Sequence, residues 1–183
     1  MKPKTIVIFS TTDWDAPQFG SRQQIGLQLA KRGHQVLFID QPRALHSLIT
    51  DRHKSLLQMR RWLSGGLRQP VLDLPKLYVF APPPVLPIFY HPWTNPLSQR
   101  ILKLAIRQTL RRLGWQTDVF WTYWANSGDL IGGFRERLAV YHCIDDFTVI
   151  DYPLVKSGII AQLEATLCRR VDLIFARTEE LAV

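Results

Sequence analysis

Cysteine is nearly absent from this chain. Cys143 and Cys168 are its two cysteines among 183 residues, with neither a metal-ligand spacing nor the even, dense pattern of a disulfide framework. A reduced, cytoplasmic setting is the expectation that follows. Long apolar runs are missing too. No stretch approaches the roughly 18 apolar residues that a membrane-spanning helix needs, and the opening MKPKTIVIFSTTDWD holds too short an apolar run for a secretory leader. Glycine is missing where a dinucleotide site would need it. After the first apolar run the chain reads STTDWD rather than G-x-G-x-x-G, and two acids there would repel a pyrophosphate. No G-x-x-x-x-G-K-[ST] loop occurs either, which disfavours nicotinamide, flavin and nucleoside triphosphate chemistry. Fixed-period repeats, low-complexity tracts and an internal linker are likewise lacking, so residues 1–183 read as one domain.

Acid is in short supply against base: 15 Asp and Glu face 23 Lys and Arg, a net charge of +8. Such a surface favours anions, whether nucleic acid, acidic lipid or a phosphorylated substrate, or is simply a solvated basic face. No nucleic-acid-binding motif is present, so no nucleic-acid partner is expected.

What is there is a regular alternation. Apolar runs at Ile6–Phe9, Val36–Ile39, Leu77–Ala81, Val119–Thr122, Leu138–His142 and Leu173–Ala176 read as buried strands. Between them, helical patterns run over Ser21–Arg32, His53–Leu67, Asn95–Leu113, Ser127–Arg135 and Lys156–Arg170. Ser21 with Gln24 suggests a capping box, and Gly33 and Gly114 suggest helix stops. Pro82-Pro83-Pro84 enforces an extended segment. Strands alternating with helices predict an α/β fold: a Rossmann-like, doubly wound parallel sheet with helices on both faces.

In such sheets ligands bind beyond the carboxyl ends of the strands. The residues following the strands are therefore the candidates: Asp13, Trp14, Asp15 and Gly20; Asp40 and Arg43; Tyr90, His91 and Trp93; Tyr123, Trp124 and Asn126; Asp145 and Asp146; Arg177 and Thr178. Aromatic faces beside carboxylates and amides suit a sugar ring. Either aspartate of the pair Asp145-Asp146 serves as a cap for a following turn, or one faces the cleft as general base toward an acceptor hydroxyl. His142, Cys143 and Trp121 read more readily as packed residues than as catalysts. No third ligand accompanies the aspartates, so no metal site is expected. Arg100, Lys103, Arg107 and Arg111 form one basic stripe, and RHKSLLQMRRWLSGGLR mixes Trp62 with arginines, which is either a solvated face or a surface for anionic lipid.

The D-W-D after the first strand, L-A-K-R-G-H-Q-V-L-F-I-D, Y-H-C-I-D-D-F and L-E-A-T-L-C-R-R-V-D-L-I-F-A-R-T-E-E-L together resemble the N-terminal domain of GT-B glycosyltransferases of the GT4-like type, over nearly the whole chain. The resemblance implies an acceptor-side domain, with a donor-binding partner domain outside these residues. It further implies transfer from a nucleotide-sugar donor, as substrate rather than cofactor, to an acceptor glycan or lipid-linked saccharide in cell-envelope or exopolysaccharide assembly. It places Asp13, Asp15 and Gly20 along the cleft and Asp145 and Asp146 near the reacting centre, with Glu164 and Asp172 as packing or capping positions. Glu179–Val183 reads as a helix start without a stop. The expectation is thus a fragment, inactive on donor by itself, located in the cytoplasm or peripherally on the inner face of the membrane. The competing expectation is a non-catalytic Rossmann-like module that holds an anionic partner or membrane surface.

Overall fold

The structure, a computed structural model, describes residues 2–45, 47–71, 73–87, 91–146 and 158–179. Tyr90, the start of the helix expected from Lys156, and Leu181–Val183 fall outside them. In chain order the elements are β1 (Thr5–Phe9), α1 (Ser21–Lys31), β2 (Gln35–Ile39), α2 (Ser47–Thr50), α3 (Arg52–Leu63), β3 (Leu67–Arg68), β4 (Leu77–Phe80), α4 (Thr94–Leu113), β5 (Val119–Thr122), a 3-10 turn (Gly128–Leu130), β6 (Leu138–Cys143), α5 (Ile159–Cys168) and β7 (Leu173–Ala176).

Among the described residues seven strands form one sheet in the order β3-β4-β2-β1-β5-β6-β7. All neighbours pair in parallel except the short edge strand β3, which runs antiparallel to β4. The parallel strands, taken by their order in the chain, give 3-2-1-4-5-6, the doubly wound Rossmann-like arrangement. The chain reverses its direction of travel at β1, so the switch point lies between β1 and β5.

Side-chain alternation divides the core. Val7, Phe9, Leu37 and Ile39 point to the face that α4 covers with Leu102, Ile106 and Leu110. Ile6, Ile8, Val36 and Phe38 point to the other face, against α1. The α4 residues stand at i, i+4 and i+8, one buried stripe, and burying each contributes about 2 kcal/mol. On α1, Gly26 lies where a Cβ would be 3.4 Å from Ile8, so a residue without a side chain lets this helix sit close to the sheet.

Some helix ends follow the residues expected and others do not: the helix expected over His53–Leu67 runs Arg52–Leu63, because Gly65 (φ +105°) and Gly66 (φ +73°) turn the chain and Leu67 enters β3. After α1, Gly33 adopts φ +86° while its N–H bonds Ala30 O and the His34 N–H bonds Leu29 O, a Schellman termination. Gly114 (φ +66°) stops α4 in the same way. At the start of α1 the N-cap is Gly20 rather than Ser21. Having no side chain, Gly20 leaves half a capping box, in which its N–H donates to Gln23 Oε1 at 3.2 Å. The helix expected over Ser127–Arg135 is a single 3-10 turn. Gly132 (φ +74°) and Arg135 (φ +57°) both take left-handed backbone that ends a helix.

Candidate functional site

Six parallel strands bring the residues after them to one edge, but that edge has two unlike halves. Around the ends of β1, β2 and β4 the acids are bound to the protein's own cations. Arg43 Nη2 donates to Asp13 Oδ2 at 2.7 Å. Asp15 takes Arg61 at 3.1 Å and Arg68 Nη1 at 3.2 Å. Arg68 Nη2 lies 2.9 Å from Asp15 but off the line of a hydrogen bond, so that second contact is Coulombic. Asp40 accepts the Trp14 N–H at 2.7 Å and stands 3.5 Å from Arg68. With Asp51 and Lys54 included, Asp13, Asp15, Asp40 and Asp51 meet Arg43, Arg61, Arg68 and Lys54, four charges of each sign. Burial pushes the Asp40 carboxyl up to about 7; the Trp14 N–H and Arg68 oppose that rise, and Asp13 and Asp15 add to it. The repulsion of phosphate expected from the D-W-D acids is therefore cancelled here by arginines.

Several expected ligand contacts serve the interior instead. Trp14 packs edge-on against Phe38 and Phe19, with ring centroids 5.1 and 5.5 Å away. Trp124 is stacked on Phe9 and donates its indole N–H to Ser10 O at 2.6 Å. The Asn126 side-chain amide donates to Asn95 Oδ1 at 3.0 Å, and the Asn126 backbone carbonyl accepts from Gln99 Nε2 at 2.7 Å. These three hold loops to the sheet and present no open face to a sugar. Gly20 acts through its backbone, as the N-cap of α1.

Around the ends of β5, β6 and β7 the picture reverses. Asp145 is half exposed, 3.8 Å from Arg22 and 4.0 Å from Arg177, too far for close pairing. Asp146 is exposed beside it. Arg22, at the second position of α1, lies 5.5 Å over the Tyr123 ring. Tyr123 in turn lies 4.9 Å from His142, and Trp121 lies 5.9 Å from His142 and 5.5 Å from Phe175. Among the described residues Arg22 Nε, Tyr123 Oη, His142 Nδ1 and Trp121 Nε1 are all buried without a hydrogen-bond partner. Four such atoms in one place are unusual, because buried polar atoms normally find partners. Burial lowers the His142 pKa, and the Arg22 cation adds to this, so the imidazole is held neutral; burial likewise pushes the Tyr123 phenol up. Sequence reasoning misses Arg22. Its signal is a cation in the first turn of a helix, where the dipole disfavours it.

Burial and then Glu164 push the Cys143 thiol up to about 11, which leaves it inert as a nucleophile. Glu164 accepts from the Tyr141 hydroxyl, and Asp172 accepts the Ala139 N–H at 2.7 Å, so both are structural. Among the described residues no cluster of three His, Cys, Asp or Glu could hold a metal ion, and no helix is long and apolar enough to cross a membrane.

No family model matches the chain, and no curated protein matches it. Among solved structures it is similar to the crystal structure of a threonine deaminase from T.th., at 10% identity and a TM-score of 0.33, over 98% of this chain and 62% of that one. The chain thus spans less than two thirds of that structure's length.

Proposed function

We propose that this chain is the acceptor-side domain of a glycosyltransferase that moves a sugar from a nucleotide donor to an acceptor hydroxyl in cell-envelope or exopolysaccharide synthesis. The observation that carries the reading is Asp145, set at the rim after β6 and 3.8 Å from Arg22, which with Trp121, Tyr123 and His142 holds four buried polar atoms without a hydrogen-bond partner among the described residues. In this reading Asp145, or its neighbour Asp146, accepts the proton of the attacking hydroxyl as its oxygen bonds to the anomeric carbon and the bond from that carbon to the donor's phosphate oxygen breaks, the nucleotide leaving with that oxygen. Arg22 and Arg177 stand loosely on either side of the carboxylate, and Tyr123 and His142 supply the floor. The diphosphate of the donor is bound by a second domain, and this chain by itself turns over no donor. The test is sugar transfer by the full-length enzyme carrying Asp145→Asn or Asp146→Asn. A loss of about a hundredfold or more in kcat for one of them supports the role; wild-type turnover in both removes the pair from catalysis.

A second reading is favoured by α3 and α4. Neither helix contains an acid, and both expose apolar residues among their cations: Trp62 and Leu63 on α3, Trp93, Leu97 and Leu104 on α4. That composition suits a peripheral position on anionic lipid at the inner face of the membrane, either as part of the transferase or as the whole role of a binding module. Flotation with anionic but not neutral vesicles, abolished by high salt, supports it; salt-independent flotation sinks it.

A further inference from the structure

The opposite edge of the sheet, where β5 and β6 begin, holds a cleft of about 760 Å³. Its size suits a small-molecule ligand. Arg107 and Arg111 enter it from the last turns of α4, and Arg135 and Arg137 from the loop before β6. Trp115 and Phe134 supply apolar wall.

Asp118 also lines the cleft, and it and the nearby Glu136 are already committed. Asp118 accepts the Thr5 N–H at 2.9 Å and stands 3.6 Å from Lys4. Glu136, between the two loop arginines, accepts the Gly132 N–H at 2.5 Å and the Phe134 N–H at 3.0 Å. Among the described residues no carboxylate pairs with any of the four cleft arginines. Arg107 is pinned to the wall, donating to Gly133 O at 2.6 Å.

One further observation points to a ligand. Thr117, 5% exposed and lining the same cleft, has a buried hydroxyl without a hydrogen-bond partner. Like charges gathered in a hollow repel one another unless an anion joins them, and planar guanidinium groups match phosphate oxygens two at a time.

We propose that this cleft binds a phosphate or diphosphate group through Arg111, Arg135 and Arg137, at the end of the sheet remote from the rim. The proposal is independent of sugar transfer, since it uses none of the rim residues. The shared chemistry is the phosphate, carried either by a soluble molecule or by a lipid headgroup.

The test is calorimetric titration of the chain with inorganic pyrophosphate at about 50 mM salt, where phosphate contacts are least screened. A variant carrying Arg111→Gln, Arg135→Gly and Arg137→Gln is compared with one carrying Arg52→Gln and Arg60→Gln on α3. Glycine at 135 removes the charge and keeps the left-handed backbone, so folding is preserved. The expected result is about tenfold weaker binding for each cleft arginine removed, with little change in the α3 variant. Vesicles containing phosphatidic acid distinguish the source. Capture of the vesicles that depends on the cleft assigns the phosphate to a lipid headgroup; cleft-dependent binding of pyrophosphate without vesicle capture assigns it to a soluble ligand. Equal weakening by both variants would mean bulk charge alone and overturns the proposal. So does an absence of cleft-dependent binding to both pyrophosphate and vesicles.

Discussion

On the β4-β2-β1 side the rim carries Asp13, Asp15 and Asp40, each with an arginine within 2.7 to 3.5 Å. On the β5-β6-β7 side it carries Asp145, whose cations stand 3.8 and 4.0 Å away, over polar atoms that have no partner. The sheet face differs in the same way. Beside β1 and β2 it is covered by α1, whereas Leu173, Ile174 and Phe175 of β7 are each more than 40% exposed. The first half pairs its carboxylates closely within the chain, although Thr11 Oγ1, Ser55 Oγ, Gln58 Oε1 and Arg68 Nε are buried there without a hydrogen-bond partner among the described residues. What sets the second apart is its exposed, loosely paired carboxylate, and a charge with unmet interactions is where a ligand adds most.

If the first half is held by its ion network, breaking it costs stability. Arg68→Leu leaves Asp40 buried beside Asp15 without their shared cation. The expected loss is about 3 kcal/mol at pH 8, measured by urea unfolding. It should shrink at pH 5.5, where Asp40 takes up a proton in place of the lost charge. A loss below about 0.5 kcal/mol at pH 8, no more than an exposed pair contributes, would make this network as dispensable as the Asp145 contacts.

Asp40 itself gives the next effect. Its carboxyl is raised from 3.8 to about 7 in the fold, so between these values the folded state keeps a proton that the unfolded chain releases. Its contribution to stability is present at low pH, declines as pH rises from about 4 to 7 and is flat above. Asp40→Asn preserves the acceptor for the Trp14 N–H and removes that slope. The variant should gain about 4 kcal/mol over the wild type at pH 8 and none near pH 4. An unchanged slope would show that Asp40 is ionised at little cost. Across the sheet, Tyr123→Phe removes a buried hydroxyl without a partner and keeps the ring under Arg22. A gain of about 1 kcal/mol is expected. A loss in thermal unfolding would mean that the hydroxyl is satisfied in the folded chain.

Much of the scaffold was legible because it rests on local rules. Ile6–Phe9 and Val36–Ile39 have few ways to be buried other than as central strands, and Gly33 and Gly114 end helices by their own backbone freedom. What escaped depends on other factors. β3 has two residues, too few to show a period. Gly132 and Arg135 cut short the helix expected after Ser127. In the site, chain order brings Asp13, Asp15 and Asp145 to one edge, but their different fates depend on partners 30, 46 and 53 residues distant for the first two. Trp14 illustrates the same limit. Its place in a polar loop suggests a ligand face, yet Phe38 and Gly26 form the surface on which it is buried.

The smallest expected change bears most directly on function. Asp145 has a side chain 54% exposed, with no cation closer than 3.8 Å among the described residues, so Asp145→Asn should alter folding stability by less than about 0.5 kcal/mol. On the first half, by contrast, removing the Arg68 charge should cost several times that amount. A carboxylate that the fold does not need, held between Arg22 and Arg177 at the mouth of the sheet, is free to serve a substrate. If the same substitution instead lowers the unfolding midpoint by an amount comparable to Arg68→Leu, Asp145 is a structural ion like Asp15. The two halves then differ only in how loosely they are drawn together, and the argument for chemistry at β5-β6-β7 loses its basis.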